Sequence, residues 1–127
     1  MRLLLDTCTF LWAGEGRDVP RSVRAAMRDP ENEVFLSAIS TWEISIKHDL
    51  GRMPLPDVPE RYLPNLRERL GLTPLALDEA STLHLRRLPN VHRDPFDRML
   101  ICQAMVHGLT IVTPDRHISE YPVRTLW

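Results

Sequence analysis

Five short apolar runs recur along the chain, at residues 2–5, 34–36, 74–77, 110–113 and 123–126, and the first of them, Leu3-Leu4-Leu5, stops at Asp6. Runs of this length without polar alternation suit strands buried on both faces, as in parallel sheets. Helical signals fill the intervals. Pro20 opens a segment containing Val23, Ala26 and Met27, and Ile39, Trp42, Ile46 and Leu50 follow helical spacing up to Gly51, a C-terminal cap glycine. Asp78 is placed to cap a short helix through Leu83 and Leu85. Asp94-Pro95 is a start signal for a helix over residues 95–107 that Gly108 stops. Residues 53–70 carry Pro54, Pro56, Pro59 and Pro64 and are expected to make two short helical pieces. Strands alternating with helices predict an α/β domain with a mainly parallel sheet. A chain of 127 residues buries a sufficient core without disulfides, so one domain over 1–127 is expected.

Composition narrows the function classes less than it narrows the fold. The formal charge is −1, and the 16 basic residues are 15 arginines and Lys47. Arginine suits bidentate phosphate contacts, but a skewed genome composition yields the same count, so charge neither demands nor excludes a nucleic-acid partner. Cys8 and Cys102 form no disulfide framework, which makes a reducing cytoplasm the expected compartment. Asp6 interrupts the N-terminal leucines well before a secretory apolar segment of about 7 to 15 residues is reached, and no segment approaches the roughly 18 apolar residues of a membrane span. The five histidines lack zinc-ligand spacing, and no glycine-rich dinucleotide or P-loop motif is present. His92-Arg93-Asp94 matches three residues of a kinase catalytic loop, but Pro95 follows where leucine is required.

In open parallel sheets ligands bind beyond the carboxyl ends of the strands, which turns attention to the acids there. Asp6 ends the first run, and Asp115 follows Thr110-Ile111-Val112-Thr113-Pro114. Each also has a plain structural reading: Asp6 as a helix N-cap, Asp115 as a turn residue. Glu43 lies in Ser40-Thr41-Trp42-Glu43, a capping-box pattern, yet a helix starting near Ala38 puts it past the first turn among apolar neighbours, where a carboxylate needs a partner. Asp94 is the natural cap of its helix. Asp97, one turn on, shares a face with Ile101 and Ala104, which a merely dipole-favoured surface aspartate does not require. If Asp6, Glu43, Asp97 and Asp115 converge, like charges about 4 Å apart repel by about 4 kcal/mol at an effective dielectric of about 20. Raised pKa values or a hard divalent cation relieve that repulsion, and an all-oxygen donor set selects Mg²⁺ or Mn²⁺ over zinc.

The stretches LLLDT, SxxSxWE (Ser37, Ser40, Trp42, Glu43), LPxxHRDPFDRMLICQA, IVTPD and the later Tyr121-Pro122-Val123 together resemble the PIN-domain toxins of bacterial toxin–antitoxin pairs, the VapC type. The resemblance spans essentially the whole chain. It implies a three-layer α/β/α sandwich with a central parallel sheet, a Mg²⁺- or Mn²⁺-dependent ribonuclease, a cognate antitoxin partner, and self-association as a homodimer or toxin–antitoxin hetero-oligomer. The matching acids are Asp6, Glu43, Asp97 and Asp115; Cys8 and Ile118 depart from common family residues without being expected ligands.

The expected chemistry is metal-assisted hydrolysis of an RNA phosphodiester. Asp6 and Asp97 are the first choices for metal contact, Glu43 is a ligand or positions the water, and Asp115 completes the pocket. Thr7 and Thr113 are placed to hydrogen-bond ligand carboxylates or substrate, and Arg98 and Arg116 are candidate phosphate contacts. The alternative is a catalytically inactive PIN-fold module that binds RNA or a partner protein. A receiver-like phosphotransfer domain ranks below both, because it needs a late lysine and the only lysine is Lys47.

Overall fold

The structure, a computed structural model, describes residues 1–127. Its centre is a sheet of five parallel strands: β1 (Arg2–Leu5), β2 (Glu33–Ser37), β3 (Thr73–Leu75), β4 (Thr110–Val112) and β5 (Thr125–Leu126), ordered β3-β2-β1-β4-β5. The leucine run therefore occupies the middle of the sheet, and Leu3, Leu4 and Leu5 are fully buried. Burying each side chain stabilises by about 1.5–3 kcal/mol. Strand alternation divides them between two cores. Leu3 and Leu5 join Val34, Leu36 and Val112 on one face; Leu4 joins Phe35 and Ile111 on the other.

On the first face lie α1 (Thr7–Glu15), α2 (Arg21–Arg28) and α4 (Pro59–Arg69), contributing Phe10, Val23, Leu63 and Leu66. On the second lie α6 (Pro95–His107) and α7 (Arg116–Ser119), through Leu100, Ile101, Ala104 and Ile118, with α5 (Glu79–His84) packed against α6. Helix α3 (Ala38–Asp49) sends Ile44 into the first core and Ile39 into the second, and packs on α1, α4 and α6. The result is the α/β/α sandwich expected from the sequence.

Three boundaries differ from expectation. Residues 59–69 form a single helix with Pro64 inside it, rather than two short pieces. Burial of Leu63 and Leu66, at 2% and 1% exposure, outweighs the roughly 3 kcal/mol that an interior proline costs a helix. The third strand is Thr73–Leu75 and the last only Thr125–Leu126, both at the sheet's edges, where one neighbouring strand limits pairing. The terminators of α6 match the sequence reading: Asp94 caps it by accepting from the Phe96 and Asp97 amides, and Gly108 ends it at φ 67°, a conformation a Cβ disfavours.

No helix of the protein is long and apolar enough to cross a membrane.

Candidate active site

The chain leaves β1 toward β2 on one side, and β4 arrives on the other, so the β1–β4 seam is the topological switch point where open α/β sheets bind ligands. The register aligns Leu5 with Val112, and one residue further Asp6 stands beside Thr113. The Asp6 amide donates to the Val112 carbonyl at 3.2 Å, and the Thr9 hydroxyl donates to the same carbonyl at 3.1 Å. Asp6 is both cap and pocket acid. Its Oδ1 accepts from the Thr9 amide at 2.7 Å to start α1, while its Oδ2 accepts from the Thr113 hydroxyl at 2.5 Å. Burial raises the Asp6 pKa, bonds from Thr113 and Thr9 offset part of that, and the charge of Asp115 adds to it.

Asp115 also has a structural duty, as N-cap of α7 through the His117 amide at 2.8 Å. Glu43 is buried on α3 at 5% exposure, with Ser37 as the true cap of that helix, so the capping-box reading does not hold. Its Oε1 accepts from the Thr7 hydroxyl at 2.7 Å, and its Oε2 is paired with Lys47, one turn along the helix. Burial works against the Lys47 charge, and the bond to Glu43 together with the charges of Glu43 and Asp94 outweighs it, so the Lys47 pKa is raised. The ammonium lies 5.9 Å from the Phe96 ring centre.

Because α6 runs antiparallel to β4 in the layer above it, its first turn sits over the carboxyl ends of the strands. Asp97 is thereby half-buried at the top of the stripe that continues to the buried Ile101 and Ala104. Its carboxyl is pushed up to about 6, first by burial and then by the charge of Asp94; Glu43 and Asp115 push the same way, and a bond to His92 opposes them. Asp6, Glu43, Asp97 and Asp115 thus come from four different elements, and the two shifted acids feel the others' charges, Asp6 that of Asp115 and Asp97 those of Glu43 and Asp115. No three His, Cys, Asp or Glu side chains stand close enough together to hold one ion between them directly.

The remaining expected residues divide. Thr7 and Thr113 bond to Glu43 and Asp6. Arg116 is exposed beside Asp115. Arg98 departs from expectation: its Nη1 donates to the Pro89 carbonyl and the Tyr121 hydroxyl, each at 2.9 Å, and its guanidinium lies over the Tyr121 ring, so it ties a loop down rather than standing free for phosphate. Trp42, on the apolar spacing it shares with Ile39 and Ile46, is 57% exposed and meets Phe96 edge-on at 5.3 Å, the two being next in sequence to Glu43 and Asp97 respectively.

Four neighbours of the site escaped the sequence reading. Lys47 was visible as the i+4 partner of Glu43. Cys8, on the first turn of α1, has its thiol pushed up to about 11 by packing around it and by Asp6, Glu43 and Asp97. His92 and Tyr121 meet across 29 residues of sequence, and no local pattern announces that contact.

Residues 3–123 match the model of the PIN domain. The chain is 36% identical to Ribonuclease VapC16 of Mycobacterium tuberculosis, over 94% of this chain and 87% of that one. Among solved structures it resembles VapBC2 of Rickettsia felis bound to a promoter DNA fragment, with TM-score 0.75, 16% identity and coverage of 100% and 99% of the two chains. It resembles DNA-bound VapBC of Salmonella typhimurium with TM-score 0.72, 20% identity and coverage of 99% and 97%. With the family model matched over residues 3–123 and a relative 36% identical across nearly its whole length, the chain belongs to the PIN-domain family.

Proposed function

We propose that this protein is a divalent-metal-dependent endoribonuclease and the toxin of a toxin–antitoxin pair. The observation that carries this reading is that burial raises the pKa of both Asp6 and Asp97 and that the charges of other acids add to it, Asp115 at Asp6 and Asp94, Glu43 and Asp115 at Asp97. Its relative's designation as a ribonuclease and the toxin–antitoxin complexes among its structural neighbours support the same conclusion.

The donor set fits Mg²⁺ or Mn²⁺. All four side chains offer oxygen, and Mg²⁺ keeps several waters while binding through one or two carboxylates, so it needs no tight cage of three. An ion held there would supply an activated water and offset charge on the phosphorane-like transition state. Asp6 and Asp97 would hold it. Thr113 fixes the Asp6 carboxylate and the Asp94 cap sets the height of Asp97, so both acids are oriented before substrate arrives. Glu43, gripped by Thr7 and Lys47, orients the attacking water, and Asp115 completes the acidic wall. Arg116 is the arginine left free to meet a phosphate.

One observation favours a second reading, an inactive PIN-fold module that binds RNA or a partner: Lys47 already neutralises Glu43. Purified protein, freed of any antitoxin and given Mg²⁺ or Mn²⁺, is expected to cleave RNA, structured tRNA included, and Asp97→Asn to abolish cleavage. Equal cleavage by Asp97→Asn sinks the proposal. RNA binding without cleavage that survives neutralising Asp6 and Asp97 selects the second reading.

A further inference from the structure

We infer that His92 is a positioning residue for Asp97, locked into one tautomer by a relay that starts at Arg98 and passes through Tyr121. The inference rests on the metal-dependent reading of the acidic pocket.

The relay follows from counting protons. Arg98 can only donate, and its Nη1 gives a hydrogen bond to the Tyr121 hydroxyl at 2.9 Å. The His92 backbone amide gives a longer one to the same oxygen at 3.3 Å. With its oxygen accepting from two donors, the phenol has one proton left to place. Its nearest acceptor is His92 Nδ1 at 2.8 Å; the His92 carbonyl lies further away, at 3.4 Å. Nδ1 is therefore the acceptor and Nε2 carries the imidazole proton. Nε2 faces Asp97 Oδ2 at 3.2 Å, so the proton points at the carboxylate. The opposite tautomer crowds a third donor onto the phenol and turns the Nε2 lone pair against Asp97.

Packing holds the ring in this orientation. His92 is 12% exposed at its side chain, stacks on His117 with centroids 5.4 Å apart and planes 12° from parallel, and meets Tyr121 edge-on at 5.4 Å. Tyr121 itself is 3% exposed, and the same Nη1 of Arg98 is also held by the Pro89 carbonyl. A ring held by these contacts offers one donor to one oxygen of Asp97, which leaves Oδ1 outside that bond. Partners of this kind behind a ligating carboxylate typically change metal affinity or activity by 10–100-fold when removed.

The test uses the full-length protein and three readouts: Mn²⁺ affinity by calorimetry, kcat and KM on tRNA, and the nitrogen NMR signature of the His92 ring at pH 8. In the wild type the spectrum is expected to report a single Nε2–H tautomer. His92→Phe keeps the ring packing and removes the donor; it is expected to weaken Mn²⁺ binding by at least about tenfold and to lower kcat with KM nearly unchanged. His92→Gln places an amide N–H near the same point and is expected to recover most of the loss. Tyr121→Phe releases the tautomer, mixes the two ring signatures, and falls between wild type and His92→Phe. Wild-type Mn²⁺ affinity and kcat in His92→Phe overturn the inference, as does an Nδ1–H tautomer in the wild type. If His92→Phe does not fold, the wild-type tautomer and Tyr121→Phe decide the question. A wild type that neither binds Mn²⁺ nor cleaves RNA overturns the metal-dependent reading itself and this inference with it.

Discussion

Asp97 is where the electrostatics of the pocket are most sharply stored. Its pKa of about 6 lies above the ordinary aspartate value of 3.8, chiefly because it is buried and then because Asp94 stands beside it. Between pH 4 and 6 the unfolded chain releases this proton while the folded protein keeps it. The folded state therefore binds more protons, and stability falls as pH rises through that window, then levels off above it. Asp97→Asn removes the penalty. Without metal, it is expected to match the wild type near pH 4 and to exceed it by about 1–2 kcal/mol at pH 7.5, a figure reduced from the full shift for residual solvent screening. Urea denaturation in EDTA at the two pH values measures this, and an unchanged difference between them rules it out. The same residue is thus a stability liability and the expected centre of activity. Asp94, its neighbour in the sequence, has the opposite character: it satisfies two amides at the start of α6, and losing it costs about 1 kcal/mol.

Where α1 meets α4, one glycine permits a close contact. A Cβ on Gly14 would stand 2.5 Å from Leu66 Cδ2 and 2.8 Å from its Cδ1. Leu66 is fully buried, so its tip has no free space to swing into. Alanine is a better helix former than glycine by about 1 kcal/mol, but overpacking a closed core costs about 1–3 kcal/mol, and the clash is expected to win. Gly14→Ala should lower the thermal midpoint, and Gly14→Ala with Leu66→Val should recover part of the loss; a midpoint raised by Gly14→Ala alone contradicts this packing. Local chemistry made α6 and α3 legible in the sequence, because Asp94, Pro95, Gly108 and Gly51 act within one turn of themselves. Helix α4 was illegible for the complementary reason. Pro64 reads as a breaker, and the burial of Leu63 and Leu66 that overrides it exists only once α1 and the sheet are in place. The edge strands β3 and β5 were overextended because apolar runs reveal strand tendency, whereas strand ends depend on a neighbour.

At the scale of the whole molecule, Asp6 and Asp115 drew attention as acids at strand ends, Asp97 as an acid one turn past a cap and Glu43 as a carboxylate among apolar neighbours of α3, while the Arg98–Tyr121–His92 chain was not legible, because its members meet only after the second core has formed. Topology brings acids of separate elements within reach of one another's charge: Asp6 after β1 and Glu43 on α3, Asp97 on α6 and Asp115 after β4. Their repulsion opposes closure of both layers onto the sheet, and Lys47 relieves it at Glu43 alone. A divalent cation bound there links elements from both cores, so its binding energy adds to global stability rather than to one loop. At 100 times the dissociation constant the gain is about 2.7 kcal/mol, or roughly ten degrees in midpoint for a domain of this size. Because Asp97 must lose its proton to serve as a ligand, affinity should fall about tenfold for each pH unit below 6, and the gain at fixed Mn²⁺ should shrink between pH 7 and pH 5. Thermal melts with Mn²⁺ or EDTA at both pH values measure the effect. Asp6→Asn and Asp97→Asn should show little gain at either pH. A gain in Asp97→Asn equal to that of the wild type would place the cation elsewhere on the protein and separate its binding from the pocket at the switch point.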